Sequence, residues 1–354
     1  MRTHAIGHAS RMMLGTTLVA ALAGCQSLGS TGTVVVGTGN PAKDVAAVQS
    51  AVDAGGSVAL RCTFDFGDQG RVRLSRDVEI VGRDGATIRG GFFTFLSPVP
   101  ATLPPAGPGP RIVIRDLTFT GALWSPINIG YASALVVSGN RISGLRPHPL
   151  PLPNTPDGQV QAGVLYGMAW AQAMTNRRYA PGVFSGPVTI ENNVIDVRAD
   201  RPAVTLGYGI YGQWTEGVEA RIAGNSVTGA TRTAFEAIDH YRGADGRGRL
   251  VVEDNRLATA EAGLPFPGTQ TPNGVLVGYF SEPKAAVDPA RAIDMRIERN
   301  LVETRGRKLI GNDFSGLRAQ RAQLVMGKGT SESACSGNVG LTQVVDEGIR
   351  DRCP

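Results

Sequence analysis

The chain has 354 residues, including 47 glycines and 22 prolines, and a formal net charge of +5. Charged residues make up only 18% and hydrophobic residues 42%, which is too apolar for a disordered chain. No dense run of Lys or Arg is present, so the mild positive charge does not predict a nucleic-acid partner. The composition favours a fold of many short strands and tight turns.

Residues 1–24 have the features of an export signal. Arg2 and Arg11 occur without any carboxylate, and the apolar run from Met13 to Ala23 follows them. This run is too short to remain in a bilayer as a spanning helix. We therefore divide the chain into a signal peptide (1–24), a tether (25–43) and one exported domain with a C-terminal tail (44–354).

The signal ends in Leu22-Ala23-Gly24-Cys25, which resembles the lipobox of bacterial lipoproteins. The resemblance implies cleavage before Cys25, lipidation of Cys25 and attachment of a water-soluble body to a membrane through the lipid. Gln26 and Ser27 follow instead of Asp, which by analogy with enteric bacteria implies the outer membrane. The alternative is an ordinary cleaved signal with an accidental cysteine.

A short helix is predicted after the tether. Asp44 can cap it, three valines share one of its faces, and Gly55 and Gly56 end it. The strand 57–60 follows directly. A helix in this position would cover the open end of a stack of strands.

An asparagine recurs behind short apolar runs along the rest of the chain. The anchors are Asn140, Asn193, Asn225, Asn255 and Asn300, with a weaker copy at Asn338. Asparagine accepts a left-handed backbone more readily than most residues, so we expect it in the turn between two strands. Stacked turns would then place the asparagines above one another in a ladder.

Residues 58–340 resemble the parallel β-helix repeats of pectate-lyase-like proteins. The resemblance implies an all-β chain folded as a single-stranded right-handed parallel β-helix with an N-terminal capping helix. Ile112–Phe119 fits as an earlier coil with Asp116 in the turn, and the proline-rich stretch Ser97–Pro110 is predicted to be a loop.

A second column is predicted upstream of the asparagines. It aligns Gly130, Gly167, Gly212, Asp239 and Gly278. The segments that follow vary most in length, so loops leaving one edge of the stack could wall a groove for an elongated ligand. These loops carry Arg177, Arg178, Arg242, Arg247, Lys284 and Arg291.

Sugar-binding and catalytic candidates lie around this column. Trp170, Trp214, Tyr241, Tyr279 and Phe280 could stack on sugar rings, although they could equally pack beneath the loops. Arg177, Arg178 and Glu236 are the further substrate-binding candidates.

The predicted catalytic group is His240 with Asp239, Tyr241 and Arg242, because a uronan lyase or epimerase needs a base and a positive group. Neighbouring residues on a strand face opposite sides, so all of them cannot meet one substrate. A surface histidine beside a salt-bridged aspartate is the alternative.

The sequence lacks the paired aspartates of polygalacturonase-like enzymes and the carboxylate cluster of calcium-dependent pectate lyases. No Cys or His spacing predicts a metal site, and no cofactor is expected. In an oxidising compartment we expect a disulfide between Cys335 and Cys353, with Cys62 as a buried free thiol.

Three functions remain open at this point. The first is a lyase- or epimerase-like enzyme acting on a polysaccharide, and the second is a non-catalytic glycan-binding lipoprotein. The third is a structural or assembly lipoprotein that docks another protein. The expected partners are a polysaccharide, possibly acidic, and the membrane through the N-terminal lipid, whereas the oligomeric state is not predicted.

Overall fold

The computed structural model describes residues 32–102, 105–150, 156–167, 184–241, 245–260, 273–280, 294–303, 309–310, 324–326, 334–339 and 343–344. Strands dominate these ranges, and the longer of their two helical segments is α1, Pro41–Ala54. Within these ranges, no helix combines the length and the hydropathy of a membrane-spanning segment.

The strands in chain order are β1 (Thr33–Val36), β2 (Gly56–Asp65), β3 (Val72–Arg73), β4 (Val78–Arg89), β5 (Phe95–Ser97), β6 (Arg111–Arg115), β7 (Thr118–Thr120), β8 (Ile127–Ile129), β9 (Ala134–Ser138), β10 (Arg141–Ser143), β11 (His148–Pro149), β12 (Gln159–Tyr166), β13 (Val188–Glu191), β14 (Val194–Asp196), β15 (Thr205–Glu216), β16 (Glu219–Ala223), β17 (Ser226–Ala230), β18 (Thr233–Tyr241), β19 (Arg249–Glu253), β20 (Arg256–Thr259), β21 (Asn273–Phe280), β22 (Asp294–Glu298), β23 (Leu301–Glu303), β24 (Leu309–Ile310), β25 (Leu324–Met326), β26 (Ala334–Ser336) and β27 (Gln343–Val344). A short 3-10 turn, Pro202–Val204, precedes β15.

Apart from β11 and β25, which pair antiparallel with β12 and β21, the strands run parallel in three sheets that the chain visits in turn. Sheet 1 stacks β1, β2, β4, β6, β9, β13, β16, β19, β22 and β26. Sheet 2 continues from the second halves of β2 and β4 through β7, β10, β14, β17, β20 and β23. Sheet 3 stacks β3, β5, β8, β12, β15, β18, β21, β24 and β27. The order of sheets 1, 2 and 3 repeats in nine described coils, which we number from β2, so the chain is the predicted all-β parallel β-helix. Its right-handed sense follows from the rule for parallel crossovers.

Apolar side chains of successive coils meet inside the stack. In sheet 2 they form one column in which each residue pairs with the next: Phe119, Ile142, Ile195, Val227, Leu257 and Val302. Each member is at most 2% exposed. Burying such a side chain contributes about 1.5–3 kcal/mol, so the stack itself supplies the core.

The predicted asparagine ladder is present at the turn between sheets 1 and 2. The amide Nδ2 of each asparagine donates to Oδ1 of the next one, at 2.9–3.0 Å, in the order Asn140, Asn193, Asn225, Asn255, Asn300 and Asn338. The backbone N–H groups of the first five asparagines donate to the same next oxygen at 2.9–3.1 Å. The buried amides are thereby satisfied, which removes the cost of placing them inside the fold.

The left-handed backbone belongs to the residue before each ladder position, which corrects the prediction that the asparagine itself adopts it. The residues concerned are Asp116, Gly139, Asn192, Gly224, Asp254, Arg299 and Gly337, with φ between 54° and 66°. Most are Gly, Asn or Asp, the types that tolerate this region best. The left-handed residue turns the chain, and the following side chain can then point inward.

Helix α1 closes the N-terminal end of the stack. It begins at Pro41 with Asn40 as its N-cap, whose side chain accepts from Lys43 N, and Gly55 caps its C-terminus with φ 77°. The helix and β1 thus reach into the segment predicted as a tether. Asp44 is not the cap. Its buried carboxylate instead accepts from Thr38 N, Thr38 Oγ1, Gly39 N and Asp65 N at 2.7–2.9 Å, which joins the strand, helix and first coil.

The register of sheet 3 corrects the second predicted column. Gly167 follows Tyr166, which pairs with Gly212, so Gly212 lies one residue out of line. Gly278 pairs with Ile238, so Asp239 is also displaced by one. A shift of one residue reverses the face of a strand, so identical residue types do not ensure equivalent positions.

Cys62 forms a disulfide, which corrects the prediction of a buried free thiol. Its backbone is left-handed, with φ 65°, at the bend of β2 where the strand passes from sheet 1 to sheet 2.

Candidate functional site

Loops of very different length connect sheet 3 to sheet 1, at the corner that we call turn 3. The described parts of these connections are residues 98–102, 105–110, 130–133, 184–187, 217–218 and 245–248. Because the sheets are parallel, these loops all leave the same edge of the stack, as the sequence predicts.

A cleft of about 480 Å³ opens at turn 3 in the second half of the stack. It is lined by Gly217, Glu219, Gly246, Arg247, Gly248, Arg249 and Asp294. Gly248 has φ 133°, a conformation that side chains rarely adopt, so glycine is needed for the chain to run along the cleft wall. The volume is in the range of ligand pockets, about 300–1,000 Å³.

Charges of both signs line this cleft. Glu219, Arg249 and Asp294 are paired in register as the first residues of β16, β19 and β22. Strands in a sheet are about 4.8 Å apart, so the backbone of Arg249 lies between those of two acidic residues. Glu219 and Arg249 are exposed, and Arg247 is 81% exposed with its Nε 3.5 Å from Asp245 Oδ2. The cleft offers donors and acceptors side by side, which suits a ligand rich in hydroxyl groups.

His240 lies in the interior and not on a loop surface. It is 1% exposed, it pairs with Thr215 in the sheet, and its Nε2 is 3.3 Å from Tyr166 Oη. The two rings make an edge contact at 5.7 Å. Burial lowers the pKa of His240 to about 3 and raises that of Tyr166, so both groups are neutral at pH 7.

Gly212 provides the space for the Tyr166 ring. A Cβ at Gly212 would lie 1.9 Å from Cζ of Tyr166, so any side chain there would collide with the ring. The other edge contact of Tyr166 is with Phe184, at 6.2 Å. His240 is therefore held in a closed aromatic environment, and a polymer bound at the surface would not reach it in this conformation.

Glu236 lies on the outer face of sheet 3 and is 4% exposed. Its Oε2 accepts from Thr233 Oγ1 at 2.7 Å. Burial raises the pKa of Glu236, and the nearby charge of Arg232 and the Thr233 hydrogen bond oppose the rise. Tyr208 and Tyr211 stack in the neighbouring coil at 4.9 Å, with Tyr211 opposite Glu236. This carboxyl is packed under other groups and does not line the turn 3 cleft.

The remaining predicted residues divide into two groups. The backbones of Trp214, Asp239, Tyr241 and Tyr279 lie in strands of sheet 3, and that of Cys335 lies in β26. Trp170, Arg177, Arg178, Arg242, Cys25 and Cys353 lie outside the described residues. The substrate-binding and catalytic roles of these residues thus stay predictions. Within the described ranges, no group of three or more His, Cys, Asp or Glu side chains could hold a metal ion.

An aromatic cluster that the sequence reasoning missed lies on the outer face of sheet 3 near its first coils. Phe92 stacks on Phe93 at 4.6 Å and on His148 at 5.3 Å, and Trp124 contacts Phe93 and His148 at 4.9 Å. Phe93 and Trp124 have left-handed backbones, with φ 49° and 68°, which is uncommon for bulky residues. The sequence signal for this cluster is the spacing between coils. Phe92 pairs with Leu123, and Leu123 pairs with Arg146, in successive coils.

Comparisons of the chain with protein-family models, curated proteins and solved structures found no match. The function is therefore inferred from the residues and their geometry.

Proposed function

We propose that this protein is a bacterial cell-envelope lipoprotein that binds a polysaccharide at the turn 3 cleft. The observation that carries the proposal is the cleft of about 480 Å³ at the corner where all the variable loops leave the stack. The lipid anchor rests on the Leu22-Ala23-Gly24-Cys25 motif and the apolar run before it.

Support for a sugar ligand comes from the chemistry of the cleft wall. The exposed carboxylate of Glu219 can accept hydrogen bonds from hydroxyl groups, and the guanidinium groups of Arg247 and Arg249 can donate to hydroxyl or carboxylate oxygens. The lining residues belong to successive coils, so a chain lying along the stack axis can meet equivalent positions one coil apart. An elongated, polar polymer fits these features better than a compact apolar ligand.

Binding is better supported than a lyase- or epimerase-like reaction. The predicted base, His240, is 1% exposed and contacts Tyr166, so in this conformation it is not available to a sugar in the cleft. Glu236 is likewise buried on the outer face of sheet 3. A general base must come within hydrogen-bonding distance of the proton that it removes.

The test measures binding of the full-length lipoprotein in detergent to a panel of acidic and neutral polysaccharides by affinity electrophoresis. Arg249→Gln should weaken binding about tenfold, because one charge-assisted hydrogen bond is lost. Arg141→Gln is the matched control, since Arg141 is also exposed but begins β10 on the outer face of sheet 2. Both variants should keep the wild-type melting temperature.

Two outcomes would contradict the proposal. One is the absence of binding to every polysaccharide in the panel. The other is equal weakening by Arg249→Gln and Arg141→Gln, which would show that general charge and not the cleft is responsible. A parallel assay for unsaturated products, carried out on the wild type and on His240→Ala, tests the enzymatic alternative. If the wild type forms such products, the proposed binding function would be replaced by a catalytic one.

A further inference from the structure

A patch of basic and half-buried apolar side chains lies at the N-terminal end of the stack, on the outer face of sheet 3. It consists of Arg71, Arg73, Phe92, Phe93 and Leu96, which we call the N-terminal outer patch. Arg73 pairs with Leu96 in adjacent strands. Arg71 Nε donates to Phe92 O at 2.9 Å, and its guanidinium lies 4.8 Å from the Phe92 ring centre and 5.7 Å from that of Phe93. The patch is therefore one continuous surface.

The two arginines of the patch have no carboxylate partner among the described residues. Asp68, the acid nearest in sequence, pairs with Arg146 at 2.6 Å. Partial burial and the neighbouring charge of Arg73 lower the pKa of Arg71, so its positive charge is held at a cost. An anionic group from outside the protein would offset that cost.

The patch is also close to the predicted anchor. Only residues 26–31 separate Cys25 from Gly32, and β1 begins at Thr33 on the first rung of sheet 1. Seven residue steps span at most about 25 Å, so a lipid on Cys25 would hold the first coils near the bilayer. Coils 8 and 9 lie at the opposite end of the stack.

We propose that the N-terminal outer patch docks on the anionic headgroup surface of the membrane. Phe92, Phe93 and Leu96 enter the boundary between headgroups and acyl chains, and Arg71 and Arg73 pair with lipid phosphates. The docked protein presents its later coils, which include the turn 3 cleft, away from the bilayer. This inference rests on the lipid anchor of the proposed function and not on polysaccharide binding.

The test uses full-length lipoprotein on vesicles of phosphatidylcholine, with and without phosphatidylglycerol. Trp124, whose ring centre is 4.9 Å from that of Phe93, reports docking through quenching of its fluorescence by headgroup-labelled lipid. Trp170→Phe and Trp214→Phe leave Trp124 as the only tryptophan. Flotation with the vesicles measures anchoring separately.

We expect flotation with both vesicle types, and quenching that is stronger with phosphatidylglycerol. The double variant Arg71→Gln/Arg73→Gln should still float, with the docking equilibrium weakened roughly 30-fold. The control is Arg83→Gln/Arg89→Gln, two exposed arginines of coil 2 on another part of the surface, which should leave quenching unchanged.

Three outcomes would overturn the inference. Flotation without quenching of Trp124 would mean an anchored protein whose patch does not dock. Equal loss of quenching in the two double variants would mean that general charge is responsible. Failure to float with either vesicle would overturn the lipid anchor as well, whereas the polysaccharide assay would be unaffected.

Discussion

Among single residues, the buried pair of Tyr166 and His240 has the clearest thermodynamic consequence. His240 has a pKa of about 3 in the folded protein, because burial disfavours its charged form, against about 6.5 for an exposed histidine. The unfolded chain therefore binds a proton at pH values where the folded protein does not. The stability that this contributes is complete above about pH 6.5 and is lost as the pH falls toward 3.

We predict that this loss can be assigned to His240 by substitution. The wild type should lose about 2 kcal/mol of unfolding free energy from this group between pH 6.5 and 5, at about 1.4 kcal/mol per pH unit. His240→Gln should lack this component, and His148→Gln, at a half-exposed histidine, should retain it. Urea unfolding across this pH range is the measurement. An unchanged pH dependence in His240→Gln would show that the imidazole is not desolvated.

The disulfide at Cys62 restricts how the other three cysteines can be used. Cys335 is in β26, eight strand spacings from β2, which is about 38 Å. Disulfide-bonded Cα atoms lie within about 7 Å of each other, so Cys335 is not the partner. Pairing with Cys25 would prevent its lipidation, and pairing with Cys353 would exclude the predicted Cys335–Cys353 disulfide. Lipidation of Cys25 and a disulfide between Cys335 and Cys353 therefore cannot both occur.

Under the proposed lipid anchor, peptide mapping of the non-reduced protein should find diacylglycerol on Cys25 and no peptide that joins Cys25 to Cys62. The expected chemistry follows because a thioether-linked cysteine cannot form a disulfide. Mass spectrometry of peptides from the membrane-extracted protein is the measurement. A peptide joining Cys25 to Cys62 would refute the anchor.

At the scale of elements, the asparagine ladder is the feature that holds sheets 1 and 2 in register. Asn225 Nδ2 donates to Ile190 O at 2.8 Å and to Asn255 Oδ1 at 3.0 Å, and its Oδ1 accepts from Asn193 N and Nδ2. One side chain thus connects three coils. If the Asn225 amide lost its hydrogens, its side chain would face the oxygens of Ile190 and Asn255 as another acceptor in a buried position.

We predict that Asn225→Asp lowers the unfolding free energy by about 3–5 kcal/mol at pH 7, although the change is nearly isosteric. The carboxylate has no hydrogen to donate and would be buried beside two carbonyl oxygens. Asn192→Gly is the control, because Asn192 is exposed and has a left-handed backbone. The equivalent positions in two other coils are already glycine, Gly139 and Gly224. The control should be neutral in thermal unfolding. Equal effects of the two substitutions would contradict the role of the ladder.

Sequence patterns predicted the ladder but not the register of sheet 3, and the difference has a physical cause. Each ladder asparagine bonds to its own kind, so the same residue recurs in successive coils. The interior of sheet 3 is instead filled by unlike residues, since Tyr166 occupies the space above Gly212 in the next coil. Tyr166-Gly167 and Tyr211-Gly212 look equivalent in sequence, but complementary volume places Gly212 opposite Tyr166.

For the molecule as a whole, stability depends on closing an open stack of strands. Each coil contacts mainly its neighbours, so the end coils have one covered face fewer than the others. At the N-terminal end, α1 and β1 cover the first coil, and the buried carboxylate of Asp44 joins them to Asp65 of β2 through hydrogen bonds of 2.7–2.9 Å. This closure protects an edge that could otherwise pair with another chain.

We predict that Asp44→Ala lowers the unfolding free energy by about 3 kcal/mol or more, because four hydrogen bonds to a buried carboxylate that joins the strand, the helix and the first coil are lost. It should also promote self-association through the uncovered edge. Asp53→Ala, an exposed aspartate of the same helix, should do neither. Thermal unfolding and size-exclusion chromatography are the measurements. A monodisperse Asp44→Ala variant with wild-type stability would show that α1 is held by its apolar face alone.

The location of the candidate site could be predicted from sequence at this scale, but its residues could not. Loops of unequal length between recurring strands indicate one shared edge, and the cleft does lie there. Arg247 was expected near it, whereas Glu219, Arg249 and Asp294 were not, because they become neighbours only through pairing of β16, β19 and β22. The burial of His240 was also missed, since it depends on a ring two coils away.

The asparagine ladder has a direction along the axis of the stack. Every side-chain amide from Asn140 to Asn338 points its oxygen toward the preceding coil. At the start of the series, Leu117 N–H donates to Asn140 Oδ1 at 3.1 Å. The amide dipoles therefore add along the axis and polarise one another. An engineered repeat unit added after Asn338 would continue this polarity only if its own asparagine oxygen pointed toward the preceding coil. At the Leu117 end, where no amide continues the series, the same unit would find nothing to extend.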